Sequence, residues 1–304
     1  MSVPKLTYFA IRGRGELIRL VMAAAQKQLD EVKVDFASWE EMKPSLYGST
    51  NLECLMIDQI VQLKEDILTV EIDTVLGSDQ SKIRFIHFTL TCLFGNSGPI
   101  MSKPRMTYFK YRGRGELSRL VMAAAGKELD QRIVDVPTWL KMKPNTFFQR
   151  VPFIEIDGQE YFQGNAIATY LARENGLYGS TNLECLMIDQ IVQMKEDILL
   201  EEIKSFVGSD DQKDQAAKDL PEVVYPRVMQ IFERLIQQNP SKSGFVIGNK
   251  MTLADLAIFE GTQSCYQGNP RFMSNFPELM KLRQKVAEAD GVRQYLATRK
   301  QTGI

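Results

Sequence analysis

Residues 101–304 predict an α/β domain followed by an all-helical domain. Three observations carry that expectation. Strand and helix signals run in the order β-α-β and then β-β-α as far as residue 178. From residue 179 onward the strand signals stop and apolar residues recur at helical spacing. Most of residues 1–79 repeats, in shortened form, the pattern that begins at residue 101.

Each element has its own signal. Residues 106–110 are a short, alternating, aromatic strand. Gly113 and Gly115 punctuate a turn, and 116–125 reads as a helix with Leu117, Leu120, Val121 and Ala124 on one face. A second strand is expected at 132–136. A third, at 151–156, ends at the Asp157-Gly158 turn, and 160–162 returns as its hairpin partner. Residues 164–173 form the next helix. Beyond residue 179, 182–206 is a long amphipathic helix with Leu183, Met187, Ile191, Met194 and Ile198 at helical spacing. The stretch 213–238 continues in that style, with Pro221 and Pro226 as interruptions. Thr252 with Asp255 forms a capping box that opens a helix running to about Gln263, and helices near 276 and at 286–297 close the chain.

Composition removes several classes of function. A net charge of −1, with no basic stripe, gives no footing for nucleic acid or an anionic membrane surface. The longest apolar run, 83–94, is too short and too polar to span a bilayer, and no leader segment is read at the start. Cys54, Cys92, Cys185 and Cys265 form no CxxC pair, so a reducing, cytoplasmic setting is expected. The one histidine, His87, lies in a segment with no counterpart elsewhere in the chain, so His-based triads and His-ligated metal sites have no material. Polar chemistry then falls to Tyr, Arg, Lys, hydroxyl and carboxyl groups.

The repeat is internal and incomplete. Residues 5–44 match 105–144 at about six positions in ten, and 46–79 match 177–210 at about eight in ten. The first copy passes from Pro44 almost directly to Leu46 and lacks a counterpart of 145–176. The division expected is therefore a truncated copy at 1–79, an unmatched linker at 80–100, a first complete domain at 101–178 and a helical domain at 179–304. Met101 stands in the place of Met1, and the arrangement reads as two tandem copies fused.

The ordered motifs TYFKYRGRGELSRL, a Trp after the second strand, VPFIEIDG, FQGNAIATYLAREN and TLADLAI give 101–304 a resemblance to the sigma class of cytosolic glutathione transferases. That class includes haematopoietic prostaglandin D synthase and the S-crystallins. The resemblance implies a thioredoxin-like domain, an all-α domain, a homodimer and glutathione as co-substrate, with small-molecule electrophiles as partners. Tyr108 falls where the class keeps its catalytic tyrosine, with Arg114 as the supporting cation. A phenol that donates a hydrogen bond to sulfur favours the thiolate; lowering a thiol pKa by about two units is worth roughly 2.7 kcal/mol. Trp139, Lys143, Arg150 and Val151 fall on glutathione-contacting positions. Pro152 falls at a cis-proline that aligns the Val151 main chain with the ligand. Gln163 and Gly164 stand where the γ-glutamyl carboxylate is gripped, and Asp197 where a residue reaches the ammonium group across the dimer. Gly164 replaces a hydroxyl residue, which implies weakened affinity and a gain in Gly164→Ser. Tyr111 and Leu199 are expected to line the second-substrate pocket. No metal is expected, because Gln193 replaces an acidic member of a metal-associated cluster. The leading activity is glutathione conjugation; an S-crystallin-like structural or carrier role and a glutathione-dependent prostaglandin isomerase are the alternatives. Tyr8, Arg14, Trp39 and Lys43 repeat half a site in the first copy, without partners for the ligand's other end.

Overall fold

A computed structural model describes residues 103–299, together with Gln28 and the strands β1 (Lys5–Phe9) and β2 (Asp30–Val34). The chain divides into two compact units, Met1–Gly98 and Pro99–Ile304. In the first, β1 and β2 pair in parallel with Lys5 opposite Asp30. Arg14, Trp39, Lys43, the repeated 47–76 helix and the 80–100 linker lie outside the described residues.

The second unit opens with a four-stranded mixed sheet. Its strands are β3 (Arg105–Tyr108), β4 (Asp130–Ile133), β5 (Phe153–Ile156) and β6 (Gln159–Phe162), in spatial order β4-β3-β5-β6. β3 pairs in parallel with β4, Arg105 facing Asp130, so the residue offset is the one seen between β1 and β2. β3 runs antiparallel to β5, which forms a hairpin with β6. The helices α1 (Glu116–Ala124), α2 (Val136–Met142) and α3 (Gly164–Glu174) complete this layer. The second strand is shorter than the 132–136 expected, and Val136 instead opens α2. Asp135 explains the change: its side chain accepts the Thr138 N–H, and Pro137 occupies the first turn, a helix start rather than a strand end.

The remainder is helical: α4 (Asn182–Val207), α5 (Asp210–Asp219), α6 (Tyr225–Gln238), α7 (Leu253–Gly261), α8 (Gln263–Gly268), α9 (Pro270–Met273), α10 (Pro277–Glu288) and α11 (Asp290–Thr298). The stretch read as continuous from 213 to 238 is divided by a π-turn over Leu220–Val224, at the prolines. Every residue of α7 is buried, so this short helix is the axle of the helical domain. The capping box that opens it is present: Asp255 accepts the Thr252 N–H at 2.7 Å and, with its other oxygen, the Val246 N–H at 2.8 Å. Burial pushes the Asp255 carboxyl up to about 6 against those hydrogen bonds.

α4 packs on α7, and Ile188, Ile191, Val192, Ile198 and Leu199 are buried along it, whereas Leu183, at the same helical spacing, is 58% exposed. Polar residues also enter this stripe. Glu202 is buried with its carboxylate accepting the Tyr225 hydroxyl at 2.9 Å, and burial together with the nearby Glu260 pushes it up to about 7. A carboxyl whose folded pKa exceeds its unfolded value near 4.3 favours the folded state below that value, and the advantage is lost as pH rises to about 7. Relative to Glu202→Gln, the wild-type chain is therefore expected to lose about 3 kcal/mol of stability between pH 4 and pH 8. Thermal or denaturant midpoints of both proteins across that range check this; parallel curves would contradict it.

Candidate active site

Tyr108 ends β3 and is 8% exposed. Its ring lies so close to the following turn that a β-carbon on Gly115 would stand 2.4 Å from Tyr108 Cδ1, and one on Gly113 would stand 2.7 Å from the hydroxyl. Gly113 also has φ +41°, which a side chain disfavours. These glycines let the turn fold over the phenol, and the Arg114 N–H then donates to Tyr108 Oη at 3.1 Å. A tyrosine hydroxyl carries one proton and two lone pairs, so accepting the Arg114 N–H leaves that proton available for another acceptor. Burial raises the phenol above its ordinary pKa, opposed by the Arg114 N–H and by the charges of Arg114, Lys195 and Arg119. The group is thus a protonated donor at neutral pH.

The Arg114 side chain turns to Glu196 on α4, with Nε 2.7 Å from Oε1. Glu196, Lys195 and Arg119 were missed by sequence reasoning. Arg119 is buried and spans the loop behind Tyr108: its guanidinium donates to the carbonyls of Phe109 and Tyr111, both at 2.7 Å, and to Gln131 Oε1 at 2.8 Å. The helical period gave no signal for it: Arg119 falls opposite the face of Leu117, Leu120, Val121 and Ala124, where a cation reads as solvated, three residues after Glu116. That glutamate is itself 1% exposed and accepts from Arg119, Tyr295 and Arg299.

The residues expected to hold glutathione fall into groups. Trp139 is buried in an apolar cluster with Val134, Phe153 and Phe162, against which Phe109 and Val151 pack. The Val151–Pro152 bond is cis, and Pro152 is buried. Lys143 and Arg150 are exposed, and Asp197 is half-buried on α4. Gln163 precedes α3 at φ +74°, a conformation that costs a non-glycine residue about 1–3 kcal/mol and tends to be kept where a site needs it. Gly164, the first residue of α3, packs against the turn: a β-carbon there would lie 2.4 Å from the Arg114 carbonyl oxygen. Tyr108, Arg114 and the start of α3 therefore meet at one place, and Trp139 and Val151 share an apolar cluster.

Tyr111 lines a cleft of about 380 Å³ with Phe109, Lys110, Ile133, Val134, Asp135, Val136 and Thr138. Leu199, expected beside Tyr111, does not line this cleft: it is 3% exposed, taken up by the helical core. Among the described residues, no group of three or more His, Cys, Asp or Glu is placed to hold a metal ion, and no helix is long and apolar enough to cross a membrane.

Known proteins share this fold. Residues 104–173 match the family model of the glutathione S-transferase N-terminal domain, and 196–299 match a C-terminal domain model of the same family. The chain is 31% identical over 201 residues to a probable glutathione S-transferase 6 of Caenorhabditis elegans, covering 64% of this chain and 96% of that protein. It is 29% identical to S-crystallin 2 of Octopus vulgaris, over 64% of this chain and 96% of the relative. Among solved structures, a rat hPGDS complexed with a quinoline superposes with a TM-score of 0.60 at 25% identity, over 66% of this chain and 99% of that one. The chain belongs to the glutathione transferase family and is a transferase with its thioredoxin-like and all-α domains.

The packing of Gly164 changes one expectation drawn from the sequence. A serine there brings a β-carbon into the Arg114 carbonyl before its hydroxyl reaches any ligand. Gly164→Ser and Gly164→Ala are both expected to destabilise the protein by about 1–3 kcal/mol through overpacking, with no gain in glutathione affinity for the serine variant. Denaturant unfolding and titration calorimetry check the two halves of this statement.

Proposed function

We propose that this protein joins the thiolate of glutathione to electrophilic small molecules through Tyr108. The observation that carries the reading is the buried phenol whose oxygen accepts the Arg114 N–H and whose proton remains free to donate. Glutathione's thiol loses its proton to solvent, and the Tyr108 hydroxyl donates a hydrogen bond to the resulting sulfur anion. The thiolate then attacks the electrophilic carbon, forming a C–S bond and expelling a leaving group such as chloride. Charge on sulfur is favoured by the cationic groups around the phenol, Arg114, Lys195 and Arg119.

The rest of the binding site is proposed on the same footing. Val151 presents its main chain to the cysteinyl portion, and Trp139, Lys143 and Arg150 take the glycyl end. The Gly164 N–H, at the first turn of α3, receives the γ-glutamyl carboxylate with Gln163, since a helix N-terminus favours an anion. Asp197 reaches the ammonium group across a homodimer; the exposed Leu183 and Leu186 on α4 are apolar surface that a second copy would cover. The electrophile occupies the cleft beside Tyr111, whose walls are largely aromatic and aliphatic. Assignment to the sigma class, a cytoplasmic location and a detoxifying role belong to this proposal. So does the reading of residues 1–79 as a truncated copy that does not bind glutathione.

A second reading is a structural protein of low activity. It is favoured by Gly164, which offers no hydroxyl to the γ-glutamyl end, and by the likeness to an S-crystallin.

Turnover with glutathione and a chloronitrobenzene separates the two. The full chain is expected to be active, and Tyr108→Phe to lose at least about 100-fold in kcat/KM, the scale of removing one donor from a developing anion. A folded wild-type protein without activity would favour the structural reading.

A further inference from the structure

Lys195 is the bulkiest of the fully buried side chains among the described residues, and it is a cation in the middle of α4. Its Nζ lies 3.3 Å from Glu260 Oε2 on α7 and 3.9 Å from Glu196 Oε2. Burial raises the Glu260 carboxyl above its ordinary range, opposed first by Lys195 and then by Arg112, and neither Lys195 Nζ nor Glu260 Oε2 has a well-aligned hydrogen-bond partner among the described residues. The stem is accommodated by Gly261, where an added β-carbon would stand 3.0 Å from Lys195 Cγ. Burying an ion pair costs several kcal/mol, and apolar residues of similar volume are often at least as stabilising. Core filling is therefore a poor account of a lysine at this position.

The surroundings of Lys195 lead toward the phenol. Glu196 Oε1 receives Arg114 Nε at 2.7 Å, and the Arg114 N–H donates to Tyr108 Oη at 3.1 Å. The other charged groups nearby have partners of their own. On α4, Glu202 accepts the Tyr225 hydroxyl; in the turn, Arg112 donates to Ser264; on α1, Glu116 holds Arg119 and, from beyond α11, Arg299. On α7, Glu260 faces Lys195 at 3.3 Å and feels Arg112 and Glu116 as well. The positive field of Lys195 reaches Tyr108 alongside those of Arg114 and Arg119.

The geometry points to Lys195 as a positioning residue for the reaction: the buried cation holds Glu196 against Arg114 and supplies positive charge behind Tyr108 that favours bound thiolate over thiol. Glu260 keeps that charge tolerable in the core. This inference rests on the proposed use of Tyr108 to stabilise the thiolate.

The test is the pH midpoint of thiolate formation in glutathione bound to the full chain, followed by the thiolate's ultraviolet absorbance. Wild type, Tyr108→Phe, Lys195→Met and the double variant Lys195→Met/Glu260→Gln are compared. The double variant leaves no unpaired charge in the core, so it reports even where Lys195→Met alone fails to fold. Both Lys195 variants are expected to raise the midpoint by roughly half to one pH unit, which is about three- to tenfold less thiolate at a fixed pH below it. A lysine that only packs the core would lower thermal stability and leave the midpoint in place. A wild-type midpoint in the Lys195 variants, with a raised one in Tyr108→Phe, overturns the inference while the Tyr108 reading stands. An unchanged midpoint in Tyr108→Phe, or no thiolate signal in wild type, overturns both.

Discussion

The site depends on how closely the turn at 113–115 lies over the Tyr108 ring. Two glycines allow the approach, and the reward is a main-chain N–H aimed at the phenol oxygen. The same turn presents the Arg114 carbonyl to the start of α3, which is why that helix must begin with a residue lacking a side chain. One close contact thereby fixes three things together: the donor state of Tyr108, the direction of the Arg114 side chain toward α4, and the position of the α3 N-terminus.

Around that contact runs a set of buried charges that joins the sheet domain to the helices. Arg119 braces the 109–111 loop from behind, and Glu116 gathers Arg119, Tyr295 and Arg299. Lys195 and Glu260 form a further pair between α4 and α7. Isolated buried charges are costly, and here each is matched by an opposite charge or a hydroxyl. The domain interface is therefore specific as well as apolar. A rotation between the layers would leave these groups unsatisfied, so the phenol and the helices that flank it are held in one arrangement.

Much of this was legible in the residues. An alternating aromatic stretch marked β3, the Asp157-Gly158 turn marked the hairpin, and Thr252 with Asp255 announced α7 through a local hydrogen-bond pattern. Boundaries failed where a cap outweighed a propensity: Val136 reads as strand until Asp135 is recognised as an N-cap. Period alone does not say which part of an apolar stripe packs within the chain: Leu183 shares the spacing of Ile191 and Ile198 but is exposed. The roles of Lys195, Glu196 and Arg119 were out of reach for a different reason. A charged residue in a helix looks solvated by default, and only the packing of distant segments shows that its head is buried. Gly164 illustrates the same limit: sequence showed a missing hydroxyl, whereas the fold shows a clearance for the Arg114 carbonyl.

The partners of Glu116 have a bearing on how the molecule is made. Tyr295 and Arg299 follow it by 179 and 183 residues, so this carboxylate acquires them only after nearly the whole second unit has left the ribosome. Contacts of such long sequence separation close late, because a large loop must be organised first. During synthesis the sheet domain can pair its strands early, yet the buried acid beside its key turn stays short of partners until α11 docks. In this fold a helix distant in sequence completes the surroundings of the turn that follows β3, so the sheet domain is finished only by the helical one.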